Sequence, residues 1–194
     1  MILRILAAAI LATSIAGCAS TPPANPQDSF FAALQEHCGK AYEGKVVSDD
    51  PADADWRGKT LTVHFRECSD DAVHMPLHVG DDRSRTWIVT RTDRGLRLKH
   101  DHRHEDGSPD AVTFYGGDTI GDGTATRQHF PVDQESIALF RREGLDASVT
   151  NVWAMEMRDG MMAYELSRPS GRFFRAEIDL TDPVNPPPAP WGHE

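Results

Sequence analysis

The chain predicts an all-β domain: an antiparallel meander of about nine or ten strands closing into a barrel, with a short N-terminal helix and one helical insertion. Two observations lead there. The first is a period of two. Thr62 and His64 separate Leu61, Val63 and Phe65, while Arg175, Glu177 and Asp179 separate Phe174, Ala176, Ile178 and Leu180. Successive side chains of a strand point to opposite faces, so each run is a strand with one wet face. The second is turn chemistry at short intervals: Gly80-Asp81-Asp82, Asp93-Arg94-Gly95, Asp106-Gly107-Ser108-Pro109, Gly121-Asp122-Gly123, Asp159-Gly160 and Pro169-Ser170-Gly171. Strands separated this tightly pair with their neighbours, and a meander of this size must close or stack to hide its edges.

The elements follow in order. Residues 18–27 form a polar, Pro-rich tether. Asp28 or Ser29 caps a short helix with Phe30, Leu34 and Cys38 on one face and Gly39 as its stop. The strands then occupy residues 41–181, and the single domain spans 28–182. A helical insertion starts at Asp133 after Pro131. It turns Ile137 and Phe140 inward and ends in Arg141 and Arg142 before Gly144. Asp159-Gly160 suits a two-residue hairpin, which needs positive φ at both positions. The tail 183–194 holds Pro183, Pro186, Pro187, Pro188 and Pro190 and is excluded from a central strand, because proline donates no ladder hydrogen bond.

The first seventeen residues are an export signal. Arg4 precedes an apolar run from Ile5 to Ile15, too short for a helix that must cross about 30 Å of hydrocarbon. Ile15-Ala16-Gly17-Cys18 resembles the lipobox of bacterial lipoproteins. That resemblance covers only this segment. It implies cleavage before Cys18, lipidation of Cys18 and anchorage in the bacterial envelope. Ala19 in place of Asp points to the outer membrane, facing the periplasm. Without residues 1–17 the chain keeps 19 of its 20 basic side chains and all 30 acidic ones, a formal charge of −11. An excess of acid argues against nucleic acid and against electrostatic docking on anionic lipid. Cys38 and Cys68 remain as an even pair in an exported domain, a disulfide candidate beside the alternative of two free buried thiols.

In element order the domain resembles the calycin-type barrels, the lipocalin and nitrobindin group, in architecture. That likeness implies an interior ligand. The lipocalin Gly-x-Trp motif has no counterpart; Asp55-Trp56-Arg57-Gly58 runs in the wrong order.

One segment carries candidate chemistry. In Leu96-Arg97-Leu98-Lys99-His100-Asp101-His102-Arg103-His104, the leucines and the three histidines share one strand face. The block through Val112-Thr113-Phe114-Tyr115-Gly116-Gly117-Asp118 is similar to a signature of uncharacterised secreted bacterial proteins, which brings no activity with it. Residues two apart on a strand are about 6.6 Å apart, so two neighbours such as His102 and His104 can share a zinc, whereas three on one metal cannot. A loop at Glu105–Asp110 would pair Tyr115 with His100 and Thr113 with His102. His100, His102, His104 and Tyr115 are therefore the candidate ligand-binding residues, and His102 with His104 the candidate metal ligands, for zinc or copper. Three readings stay open: a metal site, polar or acid–base work by the histidines, and a solvated histidine row. His74 and His78 alternate with apolar neighbours and are expected to face solvent. Asp118–Gly123 lacks calcium-loop spacing and reads as a turn. Met155 and Met157 share a face with Trp153 and read as core.

Two functions follow. One is a lipid-anchored barrel that binds a small ligand or metal at the histidine row. The other is a hydrolase or lyase with a histidine base assisted by Tyr115 or Asp101, although Asp101 has the wrong parity.

Overall fold

The computed structural model describes residues 25–193. The export signal, Cys18 and the first part of the tether lie outside these residues. Two helices and eleven strands make one domain: α1 (Pro26–Gln35), β1 (Ala41–Val46), β2 (Leu61–His64), β3 (Glu67–Cys68), β4 (Ala72–Val79), β5 (Asp82–Thr92), β6 (Gly95–His102), β7 (Tyr115–Asp118), β8 (Arg127–Pro131), α2 (Gln134–Arg142), β9 (Val152–Arg158), β10 (Met161–Ser167) and β11 (Phe173–Val184).

Ten strands follow one antiparallel path, β7-β6-β5-β4-β2-β1-β11-β10-β9-β8, and the two-residue β3 pairs with β4 alone. The order is a meander whose first and last strands meet, β1 on β11. The seam between β7 and β8 is the loosest join. Gly117 bridges Val132 there, and the Asp133 amide donates to the Gly116 carbonyl at 3.0 Å. Gly117 makes that approach feasible, because a Cβ there would sit 1.8 Å from the Pro131 carbonyl oxygen, while Gly116 allows the close pairing with β6, where a Cβ would sit 1.8 Å from the Leu98 carbonyl oxygen.

The expected strand faces form the core. Leu61, Val63, Phe65, Ala176 and Ile178 are almost wholly buried, together with Trp153, Met155, Met157 and Met162. Asp159-Gly160 joins β9 to β10 in register from Arg158↔Met161 to Val152↔Ser167, but only Gly160 has a positive φ, 73°, so the turn is not the type with two left-handed positions that the dipeptide predicts. Asp133 caps α2 by accepting from the Ser136 amide at 2.8 Å, and Phe140 is buried.

Two sequence expectations need correction. The first helix begins earlier than Asp28. Asn25 caps it, accepting from the Gln27 amide at 2.9 Å, and Pro26 takes the first turn, where a missing N–H costs nothing. Residues 25–27 thus belong to the helix and not to the tether. The second concerns Pro183, which lies within β11, opposite Tyr42 of β1. The ladder tolerates it because register shifts between Tyr42 and Gly44, and because β10 pairs with β11 only as far as Asp179, so this stretch is flanked on one side.

The barrel's two ends differ. At one end α1 lies across the opening and buries Phe30, Phe31 and Leu34 completely. Its start is held by Gln27 Nε2, which donates to Thr119 Oγ1 and the Gly121 carbonyl, both at 2.9 Å. Just beyond its end, the Cys38–Cys68 disulfide, Cα–Cα 6.2 Å, ties the helix to β3. The other end gathers the long connections 47–60, 103–114 and 132–151. Among the described residues the exposed large apolar side chains are Val47, Phe114, Ile120, Leu145 and Phe173, and all but Ile120 lie at this open end.

Candidate functional site

β6 runs towards the open end and carries the histidine row with it. Leu96, Leu98 and His100 are buried in sequence on the inner face. Register sets His100 between Trp87 of β5 and Tyr115 of β7, as the sequence spacing predicts for Tyr115. The Tyr115 ring stacks on the His100 imidazole at 4.7 Å, and Trp153 lies 5.1 Å away.

The hydrogen bonds of His100 assign its tautomer. Nδ1 is 3.1 Å from the Tyr115 carbonyl, which can only accept, so Nδ1 carries the proton. Nε2 therefore accepts from the Tyr164 hydroxyl at 2.7 Å. Burial, and then the neighbouring His102, pushes the His100 pKa down to about 3, so the ring is neutral at physiological pH. Both of its nitrogens are occupied, which makes it a scaffold for Tyr115 and Tyr164.

His102 is the last residue of β6 and pairs with Arg85. Its Nε2 lies 3.1 Å from the Tyr115 hydroxyl. Burial, reinforced by the Arg85 charge, lowers its pKa to about 4. Burial also raises the pKa values of Tyr115 and Tyr164, so both phenols stay protonated. The Thr113 hydroxyl accepts from the His102 amide at 2.8 Å, which holds the 103–114 connection against the strand end.

His104 does not join this group. The strand ends at His102, and an isolated bridge between Arg103 and Pro109 starts the turn. His104 is exposed within that turn, its amide donating to the Ser108 carbonyl. The inner row therefore delivers two imidazoles rather than three. Among the described residues no group of three His, Cys, Asp or Glu side chains is placed to hold a metal ion.

His102 and Tyr115 open instead on a cavity of about 210 Å³ at the barrel mouth. Trp153, Tyr164, Leu166, Val112, Phe140 and Leu145 supply its remaining wall, with Ser148, Asn151 and Arg168 at the polar edge. α2 and the connection after it contribute Phe140, Leu145, Ser148 and Asn151, so the helical insertion forms one side of the mouth. A neighbouring space of about 220 Å³ shares Tyr164 and Leu166 and is lined by Trp56 and Phe174, packed edge to face at 5.4 Å. The Arg85 guanidinium lies 4.9 Å over the Trp56 ring.

Arg168 escaped the sequence reading. It follows Met162, Tyr164 and Leu166 at the same parity, one step past the end of β10, and that continuation of an inner face was the signal for it. The outer face of β6 also holds a surprise. Asp101 is 1% exposed, although its parity turns it away from the core. Its carboxylate accepts from His193 Nε2 at 2.8 Å, from Arg103 Nε and from the Thr113 hydroxyl. Burial pushes its pKa up, but these bonds outweigh burial and leave it below the usual carboxylate value. The tail wraps over this face. Arg83 Nη1 donates to the Ala189 carbonyl and the Trp191 amide to the Arg83 carbonyl. His78, expected in solvent, is 5% exposed, and its Nε2 finds no partner among the described residues. His74 is partly buried beside Glu67.

No protein-family model, curated protein or solved structure matches this chain.

Proposed function

We propose that this chain is a lipid-anchored envelope protein whose barrel binds a small organic ligand at its open end. The observation that carries this reading is the asymmetry of the barrel. One end is filled by α1, while the other holds a cavity walled by aromatic and aliphatic side chains with a few convergent polar groups, the usual make-up of a ligand pocket. The lipobox at Cys18 supports the anchor, and the calycin-like element order agrees with an interior ligand. The anchor also bears on orientation. Cys18 and Asn25 are 25 − 18 = 7 residues apart, a reach of at most about 25 Å. Because Asn25 sits at the plugged end, that end stays near the membrane and the mouth is turned towards the periplasm.

An organic ligand fits the mouth better than zinc or copper, because His104 stands apart from His102. Catalysis by a hydrolase or lyase has narrower support. His100 has no free ring nitrogen, which leaves His102, coupled to the Tyr115 hydroxyl, as the base that reading requires.

Native mass spectrometry of the full-length protein extracted from bacterial envelopes tests the proposal. The expected result is an organic adduct that is lost when Leu166→Trp fills the cavity. Protein that never carries an adduct, and whose tryptophan fluorescence ignores a library of small amphiphiles, would overturn it. Loss of radiolabelled palmitate incorporation in Cys18→Ala tests the anchor separately.

A further inference from the structure

Building on the ligand-binding reading, we infer that the mouth cavity selects a small carboxylic acid with an apolar body, and that Arg168 receives its carboxylate. Of the residues that line the cavity, Arg168 alone carries a formal charge. Its surroundings leave that charge unanswered. Nε donates to Asn151 Oδ1 at 2.6 Å and Nη2 to Ser148 Oγ at 3.1 Å, both neutral acceptors. A guanidinium has five N–H donors, so three are left without an acceptor among the described residues.

Two other arginines beside the mouth, Arg172 and Arg85, behave differently. Arg172 is held by Asp53 and, at 3.1 Å, by Asp50. Arg85 is held by Asp82 at 2.5 Å. Asp50 lies close enough for Arg168 to feel its charge, yet its carboxylate is paired with Arg172. A partly desolvated cation without a counter-ion is unfavourable, and a ligand carboxylate bound in the two-pronged manner typical of arginine would remove that penalty. Asn151 is 4% exposed and fixes the guanidinium plane in advance. Phe140 and Leu145 offer only apolar contact to the rest of the ligand, and about 210 Å³ is room for roughly seven waters, the size of a short-chain or single-ring acid.

The test is isothermal titration calorimetry on the full-length protein in a non-ionic detergent, with hexanoate and benzoate against hexanamide and benzamide. The acids should bind at least about tenfold tighter than the amides, the strength expected of a charge-assisted pair. Two variants locate the effect. Arg168→Gln should abolish the preference for acid. Asn151→Asp should abolish it too, by giving Arg168 a carboxylate of its own, while a retained thermal midpoint shows an intact fold. Acids and amides of equal affinity would overturn the inference and leave the cavity reading standing, as would an acid preference that survives both variants. Failure of all four probes to bind would count against the cavity reading and take the inference down with it.

Discussion

The plugged and open ends of this barrel are built from the same strands but obey different rules. At the plugged end most demands are met within the fold, although Arg66 Nη1 and Gln128 Oε1 are buried without a partner among the described residues. Phe30, Phe31 and Leu34 have no exposure, Gln27 finds two acceptors, and a disulfide closes the join. The strands there are linked by tight turns such as Asp93-Arg94 and Asp159-Gly160. At the open end three of the connections are long, a guanidinium lacks a counter-ion, one neutral imidazole is buried and another half-buried, and Phe114 holds a φ of 53° that a bulky L-residue rarely adopts. Stability is concentrated at one end, and the compromises that binding requires are collected at the other.

The sharpest way to break that contrast is to truncate one residue at each end. Phe31→Ala should destabilise the protein by about 3–5 kcal/mol, as a large core deletion does. Leu145→Ala, 39% exposed at the mouth, should stay within about 1 kcal/mol. Urea unfolding measures both, and similar losses would erase the distinction. Next in size is the disulfide. Replacing Cys38 and Cys68 together by Ala frees a loop of sequence separation 30 and should remove about 3 kcal/mol, read by the same unfolding experiment.

Acid should act on the open end. In the unfolded chain imidazoles take up protons below about pH 6.5, whereas folded His100 resists to about 3 and His102 to about 4. The unfolded state therefore binds more protons in this window. Stability is complete above pH 6.5 and falls as the pH drops, by up to about 1.4 kcal/mol per pH unit for each histidine. Stability measured between pH 6.5 and 5 should show this slope, and His102→Gln should make it shallower. An unchanged slope would mean that His102 is not buried in its neutral form. The smallest effect concerns Phe114, which is 46% exposed and has little packing to lose. Phe114→Gly should raise stability by up to about 1 kcal/mol by relieving the positive φ, which thermal unfolding checks.

Much of this molecule was legible in the residues themselves, and the exceptions share a cause. The strand faces, the Asp159-Gly160 hairpin, the capped helix at 133 and the His100–Tyr115 register follow from local rules, because parity and turn chemistry act over a few residues. Arg168 was missed because it lies just past the end of a strand distant from the histidines in sequence, and only closure of the sheet brings β10 opposite β6. Parity turned Asp101 away from the core and placed His78 in solvent. Parity reports which face a side chain takes, not what later covers that face, and for Asp101 the cover is the tail at His193. His104 has the parity of the row but falls beyond the end of the strand, and strand ends depend on pairing partners.

By itself the sequence determined the fold class, the strand faces, the thiols available for a disulfide and the presence of a histidine row. Each depends on neighbours a few positions away or on covalent chemistry. Only the tertiary structure decided that α1 stoppers one end, that two histidines rather than three face inward, and that one of them, His102, shares a cavity with Arg168, Trp153 and Tyr164. Those outcomes depend on which strands meet when the sheet closes, and that is settled by burial of the whole apolar face at once.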